Sequence, residues 1–273
     1  MATPQHEDDD EDDIDPIKVF LSDDGATGDG NRSDDAANQQ LVQQHYISSI
    51  ESTVVIRQLP SQGLSFQLWP AATALVTLLD RYRCCPSASP LSPTLSALSM
   101  SNDSPGRPLE VLELGSGTGL VGIATAVTFG ANVTVTDLPH VLPNLQFNVD
   151  ANAKLLALTG GTVHVAPLRW GLHADVKAIG RDFDLVLASD VVYHDHLFEP
   201  LLETLRFLSG SEKKKMVFVM AHTRRWKKDS QLFRRAKKFF DVEVLHVDSP
   251  REGSRVGVVV YQFVDKGPGK LAQ

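Results

Sequence analysis

From residue 109 onward, short continuous apolar runs alternate with longer stretches whose apolar residues recur at helical spacing. The runs fall near 109–114, 132–136, 162–166, 183–188 and 215–220. Runs this short, without in-and-out alternation, suit strands buried on both faces. The stretches between them, near 119–129, 140–153, 195–208 and 229–239, read as helices. Such alternation predicts an α/β fold with a mostly parallel sheet covered on both sides. The end of the chain departs from the rule. Val242–Val247 and Val256–Tyr261 read as strands with only Asp248 to Arg255 between them. That gap is too short for a crossover helix, so the pair is expected to be an antiparallel hairpin closing the sheet.

Upstream, residues 44–58 carry strand-like runs such as Thr53-Val54-Val55-Ile56. Leu68-Trp69-Pro70-Ala71 opens a helix over 69–82, with proline tolerated in the first turn and Leu75, Leu78, Leu79 and Tyr82 following at helical spacing. Residues 84–107 are rich in Ser and Pro and are expected to be a flexible linker or insertion. The organisation expected is a disordered acidic tail over 1–40, strands and a helix over 44–83, the Ser/Pro segment, a core over 109–265 and a short tail over 266–273. No internal repeat is visible.

Composition narrows the class. A chain of 273 residues with 42% hydrophobic content can bury a large core, as a soluble globular protein does. No run of about 18 apolar residues marks a membrane span, and the acidic N-terminus has no signal-peptide character. The cysteines, Cys84 and Cys85, are adjacent and make neither a metal site nor a disulfide framework, which fits a reducing compartment, cytosol or nucleus. The net charge of −8 is uneven, because residues 1–35 carry −11 and the remainder +3. The tail is expected to serve solubility. Bases crowd residues 210–240. There Leu232, Phe233, Ala236, Phe239 and Phe240 form an apolar stripe with Arg/Lys pairs opposite, so a solvated helix face is preferred to a nucleic-acid surface.

The candidate chemistry begins at Glu113-Leu114-Gly115-Ser116-Gly117-Thr118-Gly119. A strand runs into a glycine loop, a helix follows, and Asp137 stands at the end of the next strand, twenty residues past Gly117. Glycine admits a close ligand and a positive φ, the helix start offers free N–H groups, and the acid is placed to take two ribose hydroxyls. The spacing differs from the dinucleotide G-x-G-x-x-G. Glu113 would repel a pyrophosphate and suits a cationic amino-acid end. S-adenosyl-L-methionine (SAM), with an ammonium and a sulfonium, is the cofactor expected. The histidines show no ligand spacing apart from His194-x-His196, which is read as surface, and no metal is expected.

The chain resembles the seven-β-strand protein-lysine methyltransferases of methyltransferase family 16, which modify chaperones and translation factors. The resemblance covers residues 44 to about 264 and is carried by Phe66–Ala72, Val111–Gly122, Val133–Leu138, Asn144–Asn152, Leu168-Arg169-Trp170-Gly171 and Ser189-Asp190-Val191-Val192-Tyr193. It implies a class I, Rossmann-like fold, a protein substrate, a location in cytoplasm or nucleus, and site roles. Trp69 would wall the methionine end of the cofactor. Gly115, Ser116 and Gly117 would line that end with Glu113 behind them. Asp137 would hold the ribose, Trp170 would lie beside the adenine, and Ser189 would stand next to the reacting methyl. Many members have alanine where Ser189 stands. As lone tryptophans, Trp69 and Trp170 would be read as core; their places before a helix and after a strand favour the pocket.

Asp190 and Tyr193 are the candidate catalytic pair. They follow the strand 183–188, at the sheet end where ligands bind in such folds. Lysine arrives protonated, since its ordinary pKa is about 10.4. Asp190 is expected to attract and orient the ammonium and Tyr193 to shape a narrow channel, with burial favouring the neutral amine. The alternative for Asp190 is a helix cap before Tyr193. Val191 and Val192 replace the prolines of the Asn/Asp-Pro-Pro-Tyr pattern of base and glutamine N-methylation. Three functions remain open: a protein-lysine methyltransferase, a SAM-dependent enzyme acting on RNA or a small molecule, and a non-catalytic partner-binding protein. A monomer without membrane or nucleic-acid partners is expected.

Overall fold

Seven strands form the main sheet in the order β5-β4-β3-β6-β7-β9-β8. They are β3 (Glu110–Leu114), β4 (Asn132–Asp137), β5 (Thr162–Pro167), β6 (Leu185–Ser189), β7 (Val217–Thr223), β8 (Phe240–Val247) and β9 (Val258–Asp265). The first five pair in parallel. β9 runs antiparallel between β7 and β8, so the expected terminal hairpin is present, with β9 inserted into the sheet. A separate hairpin pairs β1 (Leu41–Ile47) with β2 (Ser52–Gln58). The structure is a computed structural model describing residues 40–100, 106–210, 216–224, 229–248 and 257–267. The expected disordered tail over 1–40 lies, but for residue 40, outside the described residues, as do 268–273 and, within the basic segment, 211–215 and 225–228.

Two apolar layers flank the sheet. On one face lie α1 (Pro70–Cys84) and α3 (Leu120–Phe129), joined by the buried Leu75, Leu79, Leu120 and Ile123. On the other lie α7 (Phe198–Ser209) and α8 (Ser230–Ala236), which bury Leu201, Leu205, Leu232 and Ala236 against Leu112, Val186 and Phe218. Helix α3 has nine consecutive buried residues from Leu120 to Thr128, so it has no polar face to show water. It is buried because α1 covers its outer side, which a two-layer arrangement would leave open. Truncating Leu75 to alanine in this layer is expected to cost about 2–5 kcal/mol.

Three helices were not anticipated. The Ser/Pro-rich segment is no simple linker: it folds into a 3-10 turn at Pro86–Ala88 and helix α2 (Ser92–Met100). Leu91, Leu95 and Leu98 of this segment are buried in the core, at the i, i+4, i+7 spacing of one helix face. Pro93 sits in the first turn, where its missing N–H costs nothing. Helix α5 (Ala153–Thr159) follows α4 (Leu142–Ala151) after a break at Asn152, and α6 (His173–Ile179) lies between β5 and β6, where no helix was expected. The basic helix stops at Ala236, since β8 begins at Phe240. Its apolar stripe packs inward while Arg234, Arg235, Lys237 and Lys238 are exposed, as a solvated face requires.

The hairpin β1–β2 is tied to the core by a ladder of asparagines. Asn148 and Asn152 lie one turn apart on the helical segment facing β2. The Arg57 N–H donates to Asn148 Oδ1 at 2.8 Å and the Val55 N–H to Asn152 Oδ1 at 2.9 Å. The amide nitrogens of the same side chains donate back to the carbonyls of Arg57 and Val55, at 3.0 and 2.8 Å. Each asparagine amide thus pairs with one β2 residue as a neighbouring strand would, satisfying an otherwise open edge. Asn144 adds a bond from Arg57 Nε at 2.8 Å, and Asn148 Nδ2 also donates to the Thr118 carbonyl in the glycine loop at 2.9 Å. The ladder therefore fixes the hairpin relative to the cavity.

Candidate active site

A cavity of about 700 Å³ opens at the carboxyl ends of β3, β4 and β6. All ten residues singled out by the sequence line it: Trp69, Glu113, Gly115, Ser116, Gly117, Asp137, Trp170, Ser189, Asp190 and Tyr193. They come from segments spread over more than a hundred residues, and only the parallel sheet brings their strand ends together.

The glycine loop forms the floor. Gly115 and Gly117 have φ of +61° and +54°, a region that side chains with a Cβ rarely adopt. A Cβ on Gly115 would stand 3.0 Å from the Trp170 ring and from Val191, and one on Gly117 would stand 3.1 Å from the Ser65 carbonyl. The expected clash at Gly117 therefore includes the chain before α1 as well as any ligand. Gly122 permits another approach. A Cβ there would lie 2.3 Å from Val135 and 2.7 Å from Glu113 Oε2, so α3 packs directly on the sheet. That is the work of the third glycine in a dinucleotide loop, done here from three residues further along than Gly119.

Glu113 is the electrostatic anomaly of the floor. Its Oε2 accepts the Gly122 N–H at 2.9 Å, while Oε1 is buried without a hydrogen-bond partner. Burial pushes this carboxyl up to about 8, against the lowering influence of the nearby Ser116 hydroxyl and of the Gly122 N–H. An unsatisfied buried carboxylate oxygen is costly unless a cationic donor meets it. Asp137, at the end of β4, accepts the Gly117 N–H at 2.8 Å and the Leu138 N–H at 2.7 Å. Burial raises its pKa too, offset in part by those bonds. An orphaned carboxylate oxygen, two cradle glycines and a second acid fit a nucleoside cofactor with a cationic amino-acid end.

The far wall is made where β6 and β7 end. Asp190 has φ +53°, a left-handed conformation that aspartate tolerates better than most residues. Its N–H donates to the Ala221 carbonyl at 3.0 Å, extending the sheet ladder by one residue. Its Oδ1 accepts the Thr223 N–H at 2.8 Å; its Oδ2 accepts the Thr223 hydroxyl at 2.9 Å and the Ala71 N–H at 3.4 Å. The capping alternative thus takes an unexpected form: Asp190 meets the first turn of α1, far away in sequence, while its carboxylate edges the cavity. Tyr193 is half-buried, and its hydroxyl pKa is raised by burial and then by the Asp137 charge. Trp69 caps α1 and anchors its indole N–H on the Leu64 carbonyl at 3.0 Å. His194 and His196 stack with ring centroids 5.3 Å apart at the exposed rim. No group of three or more metal-ligating side chains occurs among the described residues.

Sequence reasoning passed over several residues that shape this wall. Thr223 holds both oxygens of Asp190. His222, beside it, is buried, with Nε2 at 3.0 Å from Asp229 Oδ2 and Nδ1 at 4.0 Å from Asp190 Oδ1. Neither carried a spacing signal, because their partners lie on other elements. The asparagines did carry one, the repeat Asn144-x-x-x-Asn148-x-x-x-Asn152.

Comparison with known proteins agrees with this geometry. Zebrafish (Danio rerio) protein N-lysine methyltransferase METTL21A is 37% identical over 142 residues, which cover 52% of this chain and 62% of that protein. Mouse (Mus musculus) EEF1A lysine methyltransferase 3 is 46% identical over 101 residues, covering 37% of this chain and 40% of that protein. The matched stretch thus spans less than two thirds of these relatives. A SAM-dependent methyltransferase from Agrobacterium tumefaciens has a TM-score of 0.50 at 17% identity, covering 91% of this chain and 79% of that one, and shares the fold. The sequence model of methyltransferase family 16, described as lysine methyltransferase, matches residues 49–239. With the glycine loop, the acids and the sheet order in place, the chain belongs to the lysine methyltransferase family 16.

Proposed function

We propose that this chain is a SAM-dependent protein-lysine N-methyltransferase acting on a folded protein such as a chaperone or translation factor. The observation that carries the reading is the pairing of an under-satisfied buried acid, Glu113, with a fully engaged one, Asp190, in one cavity. A cationic cofactor end answers the first, and a cationic substrate end is drawn to the charge of the second.

The residues present divide the work. Glu113 would take the ammonium of the cofactor, Gly115, Ser116 and Gly117 would line its methionine end, and Asp137 would take the ribose hydroxyls. Trp170 would flank the adenine, Trp69 would close the methionine end, and Ser189 would adjoin the reacting carbon. SAM supplies a methyl group already activated by its sulfonium. The protein's task is therefore alignment and exclusion of water. Asp190 attracts and orients the lysine. Held by Thr223 and Ala71, it cannot swing, so it sets the approach direction. Tyr193 narrows the channel beside it. Burial of the amine favours its neutral form, which presents the lone pair.

Two of the relatives are named for lysine methylation, one of them on the elongation factor EEF1A, which supports a translation factor as one substrate class. Recognition would use the hairpin β1–β2 and the exposed Arg224 after β7. No described helix is long and apolar enough to cross a membrane, and both cysteines are free and exposed. We further propose a monomer in cytoplasm or nucleus. Incubation with labelled SAM and cell extract, followed by mass spectrometry, should place the label on a protein lysine. Label resistant to protease and removed by RNase would overturn the reading in favour of RNA.

A further inference from the structure

A second cavity, of about 430 Å³, lies behind Asp190 and is lined by His222, Arg224, Asp229, Phe233, Lys237 and Tyr261 among others. The wall between the two cavities is a line of three side chains. Asp190 edges the first cavity; His222 and Asp229 edge the second. His222 Nε2 stands 3.0 Å from Asp229 Oδ2. With Nε2–H donating to that carboxylate, Nδ1 carries a lone pair. It is buried, has no hydrogen-bond partner and faces Asp190 Oδ1 at 4.0 Å. A neutral imidazole left with an unused buried acceptor is costly unless a proton arrives there.

Methylation of an amine creates a need for such an acceptor. A lysine ammonium must lose a proton before its nitrogen can attack, and a closed cavity offers that proton little bulk water. Asp190 is placed to pass a proton on rather than to keep it, because three donors already occupy its two oxygens. We infer that His222 is the residue that finally takes the proton shed by the substrate amine, receiving it through Asp190 and held for that purpose by Asp229. This rests on the lysine-methylation reading above. An N–H bond of the ammonium breaks and its electron pair stays on nitrogen as the nucleophile. The proton passes over the Asp190 carboxylate, and a new N–H bond forms at His222 Nδ1. The total charge of the cluster is unchanged: Asp190 trades a cation on one side for a cation on the other, and the imidazolium lies between two carboxylates. Oriented imidazole between acid and nucleophile is the logic of a hydrolase triad, with the carboxylate here on the substrate side. With Asp190 held in place, the transfer requires the His222 ring to approach it from 4.0 Å to hydrogen-bond length, about 2.8 Å. From His222 the proton leaves over Asp229 into the second cavity. Besides the two aspartates, the charged and titratable groups around that side of the ring are, among the described residues, Arg224 after β7, Arg234 and Lys237 on α8, and Tyr261 on β9.

The test uses the full chain with labelled SAM and the extract protein it methylates. His222→Asn keeps an amide beside Asp229 and cannot relay a proton. Its kcat at pH 7 should fall at least about 30-fold, within the range of a lost acid–base group, and the deficit should shrink as pH approaches the pKa of free lysine, about 10.4, while SAM affinity by calorimetry stays within about 2-fold. Asp229→Asn should show a smaller loss of the same pH shape. A deficit equal at every pH, or none, overturns the inference. Nitrogen NMR of the His222 ring provides a readout independent of turnover: Asp190→Asn in the folded protein should move the titration midpoint of Nδ1, and an unmoved midpoint also overturns it. If the wild type methylates no protein, the functional reading fails, and the NMR result still decides the coupling.

Discussion

The two ends of the cavity hold their acids in opposite ways. Glu113, at the β3 end, has one oxygen bonded once and the other not at all. Asp190, at the β6 end, has three donors on two oxygens and a backbone bond besides. Both are buried. Burial therefore does not distinguish them; satisfaction does. An under-satisfied carboxylate stores a penalty that a cationic ligand releases on binding, so it suits the partner that must be captured. A saturated carboxylate keeps its charge and position whatever is bound, so it suits the partner that must be aimed. The contrast comes from the surroundings. Glu113 points from the strand under the first turn of a helix that gives it one N–H, that of Gly122, whereas Asp190 lies where a strand end, a neighbouring strand and a helix N-terminus converge.

Replacing the saturated acid should have the largest effect. Asp190→Asn keeps the shape and an acceptor oxygen while removing the charge. Methylation should drop by about 100-fold or more, with SAM affinity within a few-fold, as measured by initial rates and calorimetry. Asp190→Ala is the harsher variant, because Thr223 and Ala71 lose their acceptor; it should also lower stability by about 1–3 kcal/mol. Full turnover in Asp190→Asn would reduce the carboxylate to a link between α1 and β7.

The under-satisfied acid should respond in binding. Glu113→Gln should weaken SAM by about 10- to 100-fold, the cost of a charge-assisted bond of about 1.5–3 kcal/mol. It should also change the pH dependence of folding. The folded pKa of Glu113 stands near 8 against 4.5 for an exposed group. At this group the folded chain then binds more protons than the unfolded chain within that window, so the contribution of Glu113 to unliganded stability falls as pH rises from about 4.5 to 8 and is flat on either side. Glu113→Gln should remove that slope, which denaturant midpoints across the window would show. The ammonium should favour the ionised carboxylate, so SAM binding near pH 7 should release protons; calorimetry in buffers of different ionisation enthalpy checks this, and no release would contradict the placement of the ammonium.

Two smaller effects sharpen the comparison. Asn148→Ala removes bonds to Arg57 and Thr118 together. It should cost about 1–3 kcal/mol in the denaturant midpoint and loosen both the hairpin and the glycine loop, visible as faster amide exchange over 52–58. Tyr193→Phe keeps the ring and should lower turnover by less than about 10-fold, since one neutral hydroxyl contributes about 1 kcal/mol.

Local patterns made the sheet legible. The continuous runs of β3, β6 and β7 could not alternate, because both their faces are covered, and the short 248–255 gap forced an antiparallel end. The unforeseen helices failed for local reasons. In α2, serine and proline hid the leucine spacing 91, 95, 98; the helix expected over 140–153 is α4, and the chain restarts as α5 after the break at Asn152, past the end of the expected helix. The glycine loop, Asp137 and Asp190 could be placed at the cavity because glycine loops and strand-end acids sit at fixed offsets from their own elements, whereas Trp69, Trp170 and Ser189 were placed there by the family resemblance.

What the sequence determined by itself was therefore everything set by neighbours in the chain: the order of elements, the positive-φ loop at Gly115 and Gly117, and the placement of Asp137 and Asp190 at strand ends. What only the tertiary structure decided was the state of each acid. Whether a carboxylate is saturated depends on donors brought from afar, Ala71 and Thr223 for Asp190, Gly122 alone for Glu113 Oε2. The same holds for His222, whose two ring nitrogens face Asp190 and Asp229 from different elements. Hydrogen bonds and buried charges act over a few ångströms of space, and the chain brings those ångströms together only after it has folded.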